Sequence, residues 1–216
     1  MTQEILNIKN LCFNVEQKEI LKNISFIVNS GDLFTISGPS GSGKSTLLKL
    51  VANMLEKTTG DIIFDGKKIE DYTPTLYRQE VSYFFQSPVL FDQTVKDNLS
   101  FPYTIRQLPF DDTRATSLLE DVKLSKDYLE KTIDSLSGGE KQRIAFVRNL
   151  LFEPRILLLD EVTSALDQDN SQIIHQIIKK LNKENGITIL WITHDQNEYL
   201  SSNNRLFIDK GELTNE

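Results

Sequence analysis

Only one cysteine, Cys12, stands among the 216 residues. An internal disulfide is excluded, a reducing compartment is permitted, and no thiolate metal cluster is suggested. Long apolar runs are missing too. Ile187 to Ile192 is among the longest and is far too short to span a bilayer. Residues 1–10 have no basic start followed by an apolar block, so no secretion signal is expected. Positive charge is not in excess: 24 Lys and Arg face 31 Asp and Glu, a formal net charge of -7. That balance argues against nonspecific nucleic-acid binding. Internal repeats and low-complexity linkers are absent. What remains is ordinary globular composition, 39% hydrophobic and 25% charged, which points away from disorder. The length suits one large core or two small lobes. A cytoplasmic protein is expected.

The most informative stretch is Gly38-Pro39-Ser40-Gly41-Ser42-Gly43-Lys44-Ser45-Thr46. It follows the apolar run Leu33 to Ile36. It precedes a run in which Leu47, Leu48, Val51, Met54 and Leu55 recur at helical spacing. Strand, glycine-rich loop and helix make a phosphate cradle. Glycines let successive N–H groups turn inward, and the helix start adds unpaired donors and the positive end of its dipole. Lys44 is placed to neutralise outer phosphates, and Ser45 to put a hydroxyl on Mg²⁺.

Elsewhere the pattern is that of an α/β fold. Alternation near Ile5 to Ile8, and at Ile24, Phe26 and Val28, predicts N-terminal strands with one wet face. Thr59-Gly60-Asp61 leads into a strand at Ile62 to Phe64, and Asp65-Gly66 signals a hairpin. Thr75 to Glu80 reads as a short helix and Val81 to Phe85 as a strand. From about Pro88 to Ser135 the chain is helical or loop-like, with Pro102 and Pro109 as punctuation. The expected helices Lys141–Phe152 and Ser171–Leu181 flank a buried strand at Ile156 to Leu159. Further strands are expected at Ile187 to Ile192 and Leu206 to Ile208.

Asp160 and Glu161 follow the apolar run Ile156 to Leu159, at the end of a parallel strand where open α/β sheets bind ligands. Asp160 is suited to hold Mg²⁺ and Glu161 to activate water. Ser137-Gly138-Gly139-Glu140 carries a capping-box pattern, which alone explains a helix start. Its glycines also leave that start bare to an anion.

Leu136 to Glu140, continued by Lys141-Gln142-Arg143, resembles the signature of ATP-binding cassette (ABC) ATPases. Three further stretches are similar to that family. They are Gln86 at a Q-loop, Ser164-Ala165-Leu166-Asp167 at a D-loop, and His194, in Trp191 to Asp195, at a switch histidine. Phe13 matches an adenine-stacking aromatic, with plain strand packing as the alternative. The resemblance implies one ABC ATPase domain over 1–216. Its core, 1–86 and 137–216, would combine a mixed or parallel sheet with an antiparallel β part, and 87–136 would be a helical insertion. It implies catalytic roles for Glu161, His194 and Gln86, nucleotide binding by Phe13 and Gly38 to Thr46, and Mg²⁺ at Ser45, Gln86 and Asp160. Ser137, Gly138, Gly139 and Glu140 would contact ATP held by a second copy, with Asp167 in the D-loop. The expected partners are a second copy of the chain and an integral membrane permease, through which the chain would sit peripherally at the inner face of the membrane, with no nucleic acid.

Val162 stands where that family usually has proline. Its β-branched character resembles the FetA-like subgroup of bacterial iron exporters. Tyr77 to Tyr83, Leu90 to Leu99, Phe101-Pro102 and Arg148-Asn149-Leu150 are similar to the same subgroup. The implied activity is ATP hydrolysis coupled to metal export. A non-transport ABC ATPase acting as a nucleotide-gated interaction module is the alternative.

Overall fold

The N-terminal alternation continues far past the apolar residues that announce it. In the computed structural model, β1 (Glu4–Val15) and β2 (Lys18–Asn29) form a long antiparallel hairpin. It turns through Glu16, held at φ 53°. Then come β3 (Leu33–Ser37), α1 (Lys44–Val51), β4 (Thr59–Phe64), β5 (Lys67–Lys68), α2 (Pro74–Glu80) and β6 (Val81–Phe84). Helices α3 (Val95–Thr104), α4 (Asp112–Asp121) and α5 (Gly138–Leu150) follow. The remaining elements are β7 (Ile156–Asp160), α6 (Gln168–Lys183), β8 (Thr188–Ile192), β9 (Asn204–Asp209) and β10 (Glu212–Thr214). The structure describes residues 3–87, 89–164, 166–195, 202 and 204–214. Pro88, expected to open the insertion, and Ala165, in the expected D-loop, lie outside the described residues.

The chain divides into two units. One comprises Met1–Tyr83, Pro154–Glu161 and Asn182–Glu216, the other Phe84–Glu153 and Val162–Leu181. The expected insertion at 87–136 falls within the second.

Two sheets are present among the described residues. The first is antiparallel in the order β2-β1-β4-β5. Asp65 and Gly66, at φ 49° and 76°, give the paired positive angles that a tight β4–β5 hairpin requires. The second sheet has the order β10-β9-β3-β8-β7-β6. In it β9, β3, β8 and β7 run parallel, and β10 pairs antiparallel with β9. β10 has no counterpart in the sequence reading, because Glu212-Leu213-Thr214 offers a single apolar residue. Strands β7 and β8 are buried along their whole length. Each Leu or Ile buried there contributes about 2 kcal/mol, which explains the unbroken apolar runs.

Two local expectations are corrected. α1 stops at Val51, so Met54 and Leu55 lie beyond it. Asn53 takes φ 53°, and the Met54 N–H bonds back to the Lys49 carbonyl at 2.9 Å. This left-handed stop leaves Met54 exposed, while Leu55 packs against the core. Pro102 does not punctuate: α3 runs through it and buries it. The capping box of Thr94 and Asp97 secures that helix start.

In the second unit α3 and α4 both pack on α5. Arg114 ties α4 to the end of α5 by donating to the Leu150 and Leu151 carbonyls. Phe84 packs on Phe146, and Tyr103 on Phe152.

Candidate functional site

The registers of β3, β7 and β8 align three strand ends. Ile36 lies beside Ile192, and Ile192 beside Asp160. Two bonds continue the ladder past these ends, from Thr193 N–H to the Ile36 carbonyl and from Glu161 N–H to the Ile192 carbonyl, each 3.2 Å. The residues that follow, Gly38 onward, Glu161 and His194, therefore emerge from one edge of the sheet.

The loop from Gly38 to Gly43 is shaped by what surrounds it. Gly38 sits at φ 136°, where a Cβ would lie 2.0 Å from the Ile208 carbonyl oxygen. Gly43 sits at φ 107° with a Cβ position 2.6 Å from Leu21. Gly43 is also the N-cap of α1, and it supplies no side-chain cap. The N–H groups of the first turn are left for a ligand. Lys44 is buried and donates to the carbonyls of Gly38 and Pro39 at 2.8 and 2.9 Å. Burial lowers its pKa, against the opposing pull of Glu161 and Asp160.

Ser45 donates to Asp160 Oδ1 at 2.9 Å. The other oxygen, Oδ2, accepts from the Tyr83 hydroxyl at 2.5 Å. Burial, followed by this bond to Asp160, pushes the Tyr83 phenol above its ordinary range, so it stays a proton donor. Glu161 has φ 51°, a left-handed backbone uncommon in a residue with a side chain. Its Oε1 lies 2.9 Å from His194 Nε2. Phe13, on β1, is partly buried and packs against the apolar core of the same unit.

The second unit carries the other predicted residues. Gln86 is exposed, just past β6. Ser137 caps α5 and accepts from the Glu140 N–H, while Glu140 Oε2 accepts from the Ser137 N–H at 2.7 Å. Tyr128 donates to the other oxygen of Glu140. The Tyr128 bond, then the Ser137 N–H, hold the Glu140 pKa down to about 2. Gly138 faces open space, whereas a Cβ on Gly139 would meet Asn170 Nδ2 at 2.9 Å. Asp167 accepts from both the backbone and side-chain nitrogens of Asn170 at 2.8 Å. Arg143 donates to the remaining Asn170 oxygen.

The first unit thus assembles Gly38 to Thr46, Asp160, Glu161 and His194, and the second holds Gln86, Ser137 to Glu140 and Asp167. Sequence reasoning missed Tyr83, Tyr128 and Asn170. Tyr83 and Tyr128 act on partners in other elements, and Asn170, though three residues after Asp167, also reaches Arg143 and the Gly139 position on α5. Two signals were present: a tyrosine within the strand Val81 to Phe84, and an asparagine three residues after Asp167.

Comparison with known proteins agrees with this geometry. A family model described as ABC transporter matches residues 21–164. The chain is 45% identical over 194 residues to "Probable iron export ATP-binding protein FetA" of Escherichia coli (strain K12), covering 90% of this chain and 86% of that protein. It is 38% identical over 217 residues to "Spermidine/putrescine import ATP-binding protein PotA" of Clostridium novyi (strain NT), covering 99% of this chain but 62% of that protein. It also superposes with a TM-score of 0.85 and 28% identity on a solved structure, "Dimeric structure of a post-hydrolysis state of the ATP-binding cassette MJ0796 bound to ADP and Pi", covering 98% and 97% of the two chains. A phosphate loop open at its helix start, met by paired acids at a parallel-strand end, has its explanation here: the chain belongs to the ABC transporter family and is one of its ATP-binding, ATP-hydrolysing proteins.

Proposed function

We propose that this ATPase drives a separate membrane permease and that the cargo is a metal ion, iron foremost, carried outward. The observation that carries the reading is the 45% identity to the iron-export relative across 90% of the chain. The polyamine-import relative supports a second reading, import, at lower identity and over only part of that protein's length. Among the described residues no helix is long and apolar enough to cross a membrane. In this reading the solute path lies in the permease, and this chain sits against it at the inner face of the membrane.

In this reading the loop N–H groups from Ser40 to Thr46 grip the phosphates, and the Lys44 amine turns from the Gly38 and Pro39 carbonyls onto their oxygens. Phe13 offers a ring face to adenine. Ser45 and Asp160 are the residues that would hold Mg²⁺. Ser45 Oγ and Asp160 Oδ1 are two hard oxygens 2.9 Å apart, a donor set that fits this cation. When bound, Mg²⁺ neutralises charge on the phosphate oxygens. Glu161 takes the proton of the attacking water, and His194, bonded to it, fixes the carboxylate. Ser137 to Glu140 of a second copy close over the triphosphate, with the D-loop residue Asp167 beside that junction. Each copy supplies half of two sites.

The test is a host strain lacking the chain. Iron accumulation and iron sensitivity are expected, restored by the wild type and not by Lys44→Ala. The tagged chain should copurify with a protein of several apolar spans. Lost polyamine uptake with unchanged iron content would overturn export. Recovery with soluble partners alone would overturn transport.

A further inference from the structure

The carboxylate of Asp160 is held at both oxygens. Ser45 Oγ bonds Oδ1 at 2.9 Å and the Tyr83 hydroxyl bonds Oδ2 at 2.5 Å. Asp160 is 6% exposed and Tyr83 9%, so water competes poorly for either bond. The torsion that turns a carboxylate about its own axis is broad and nearly free of intrinsic preference. One bond, to a serine that must also serve a cation, does not fix it. A second bond on the far oxygen does. The phenol comes from β6, a strand of the same sheet as β7, and not from the nucleotide loop. It therefore holds the acid independently of whatever the loop does when a nucleotide arrives.

We propose that Tyr83 is a positioning residue for the cation centre: its hydroxyl locks Asp160 so that Oδ1 stays facing Ser45 whether or not nucleotide is bound. The inference rests on the reading of Ser45 and Asp160 as the cation-holding pair. Outer partners of metal-holding carboxylates typically change affinity or activity by about 10- to 100-fold when removed. An ionised carboxylate offers roughly four lone-pair positions, so the phenol and the serine leave room for a cation on the Oδ1 side.

The intact chain is titrated with Mn²⁺ in the presence of adenylyl imidodiphosphate, and bound Mn²⁺ is read by electron paramagnetic resonance. Tyr83→Phe keeps the ring and its packing and removes one bond. The expected result is a Mn²⁺ half-saturation raised by about 10-fold or more, with binding of the same nucleotide in EDTA within about twofold of wild type. The Mg²⁺ concentration for half-maximal hydrolysis rises in step, and excess Mg²⁺ restores the maximal rate. In an Asp160→Asn background the Tyr83→Phe change adds nothing further, since the two residues act as one unit. Tyr83→His, which carries a donor, recovers part of the loss. Unchanged Mn²⁺ half-saturation in Tyr83→Phe, with normal wild-type uptake, overturns this inference alone. An equal loss of EDTA-resistant nucleotide binding overturns it in favour of a packing role. Wild-type protein that takes up no Mn²⁺ with nucleotide overturns the underlying reading as well.

Discussion

Two helices in this chain begin on glycine-rich sequence, and they finish their first turns in opposite ways. α1 starts at Gly43, which is left-handed and offers no cap, so its donors await something from outside the protein. α5 starts at Ser137, and Glu140 folds back to complete a reciprocal cap, held further by Tyr128. The first end is incomplete without an anion. The second already has two of its donors, the N–H groups of Ser137 and Glu140, bonded from within the chain. Its serine hydroxyl accepts from an N–H yet keeps its own proton to donate, and its acid is turned back onto the cap with both oxygens bonded. In the proposed function this is the end that meets a triphosphate presented by another copy.

The comparison can be broken by substitution, beginning on the α1 side, where the chemistry lies. Glu161→Gln removes the proposed base and should cut hydrolysis by about 10²- to 10⁴-fold, measured as phosphate release. ATP binding should persist, and a two-copy species should accumulate on size-exclusion chromatography. Full turnover would dismiss Glu161 from that role. Lys44→Ala removes a charged donor worth about 1.5–3 kcal/mol, so nucleotide affinity by calorimetry should fall by roughly 10- to 100-fold.

On the α5 side the effects should be structural first. Ser137→Ala loses a cap worth about 1 kcal/mol, visible in denaturant unfolding. Binding of nucleotide by a single chain should be unaffected, whereas pairing of copies should weaken. If single-chain binding fell instead, the division of labour between the two helix starts would be wrong. The smallest effect concerns acid. Glu140 titrates in the fold near 2, below the ordinary 4.5. Its depressed value stabilises the fold above the ordinary pKa, and that contribution fades as pH drops from about 4.5 towards 2. Glu140→Gln should flatten the acid limb of the stability profile in that window. The residue is partly open to solvent, so the change should be modest.

The α1 side was also the more legible of the two. Gly38 to Thr46 and the acids after Ile156 to Leu159 declare themselves because strand, loop and helix follow one another without interruption. The capping box at Ser137 was legible from the three-residue spacing of Ser137 and Glu140 alone. What sequence could not supply were bonds closed across distance. Tyr83 reaches an acid far down the chain, Tyr128 anchors an acid from outside its helix, and Asn170 fills the space beside Gly139. The stop of α1 at Val51 was hidden because Met54 and Leu55 keep the helical spacing after the backbone has turned away. β10 was hidden because its pairing with β9 is made by backbone groups, whatever the side chains.

Gly38 is pressed against the carbonyl of Ile208, and the Gly211 N–H bonds the Ser42 carbonyl at 3.1 Å. The phosphate loop is therefore moulded by a segment synthesised long after it. Its packed surroundings are complete only when β9 and the turn beyond it are in place. A truncation that removed residues 204–214 would strip the phosphate loop of the backbone it rests on, although those residues stand far from it in sequence.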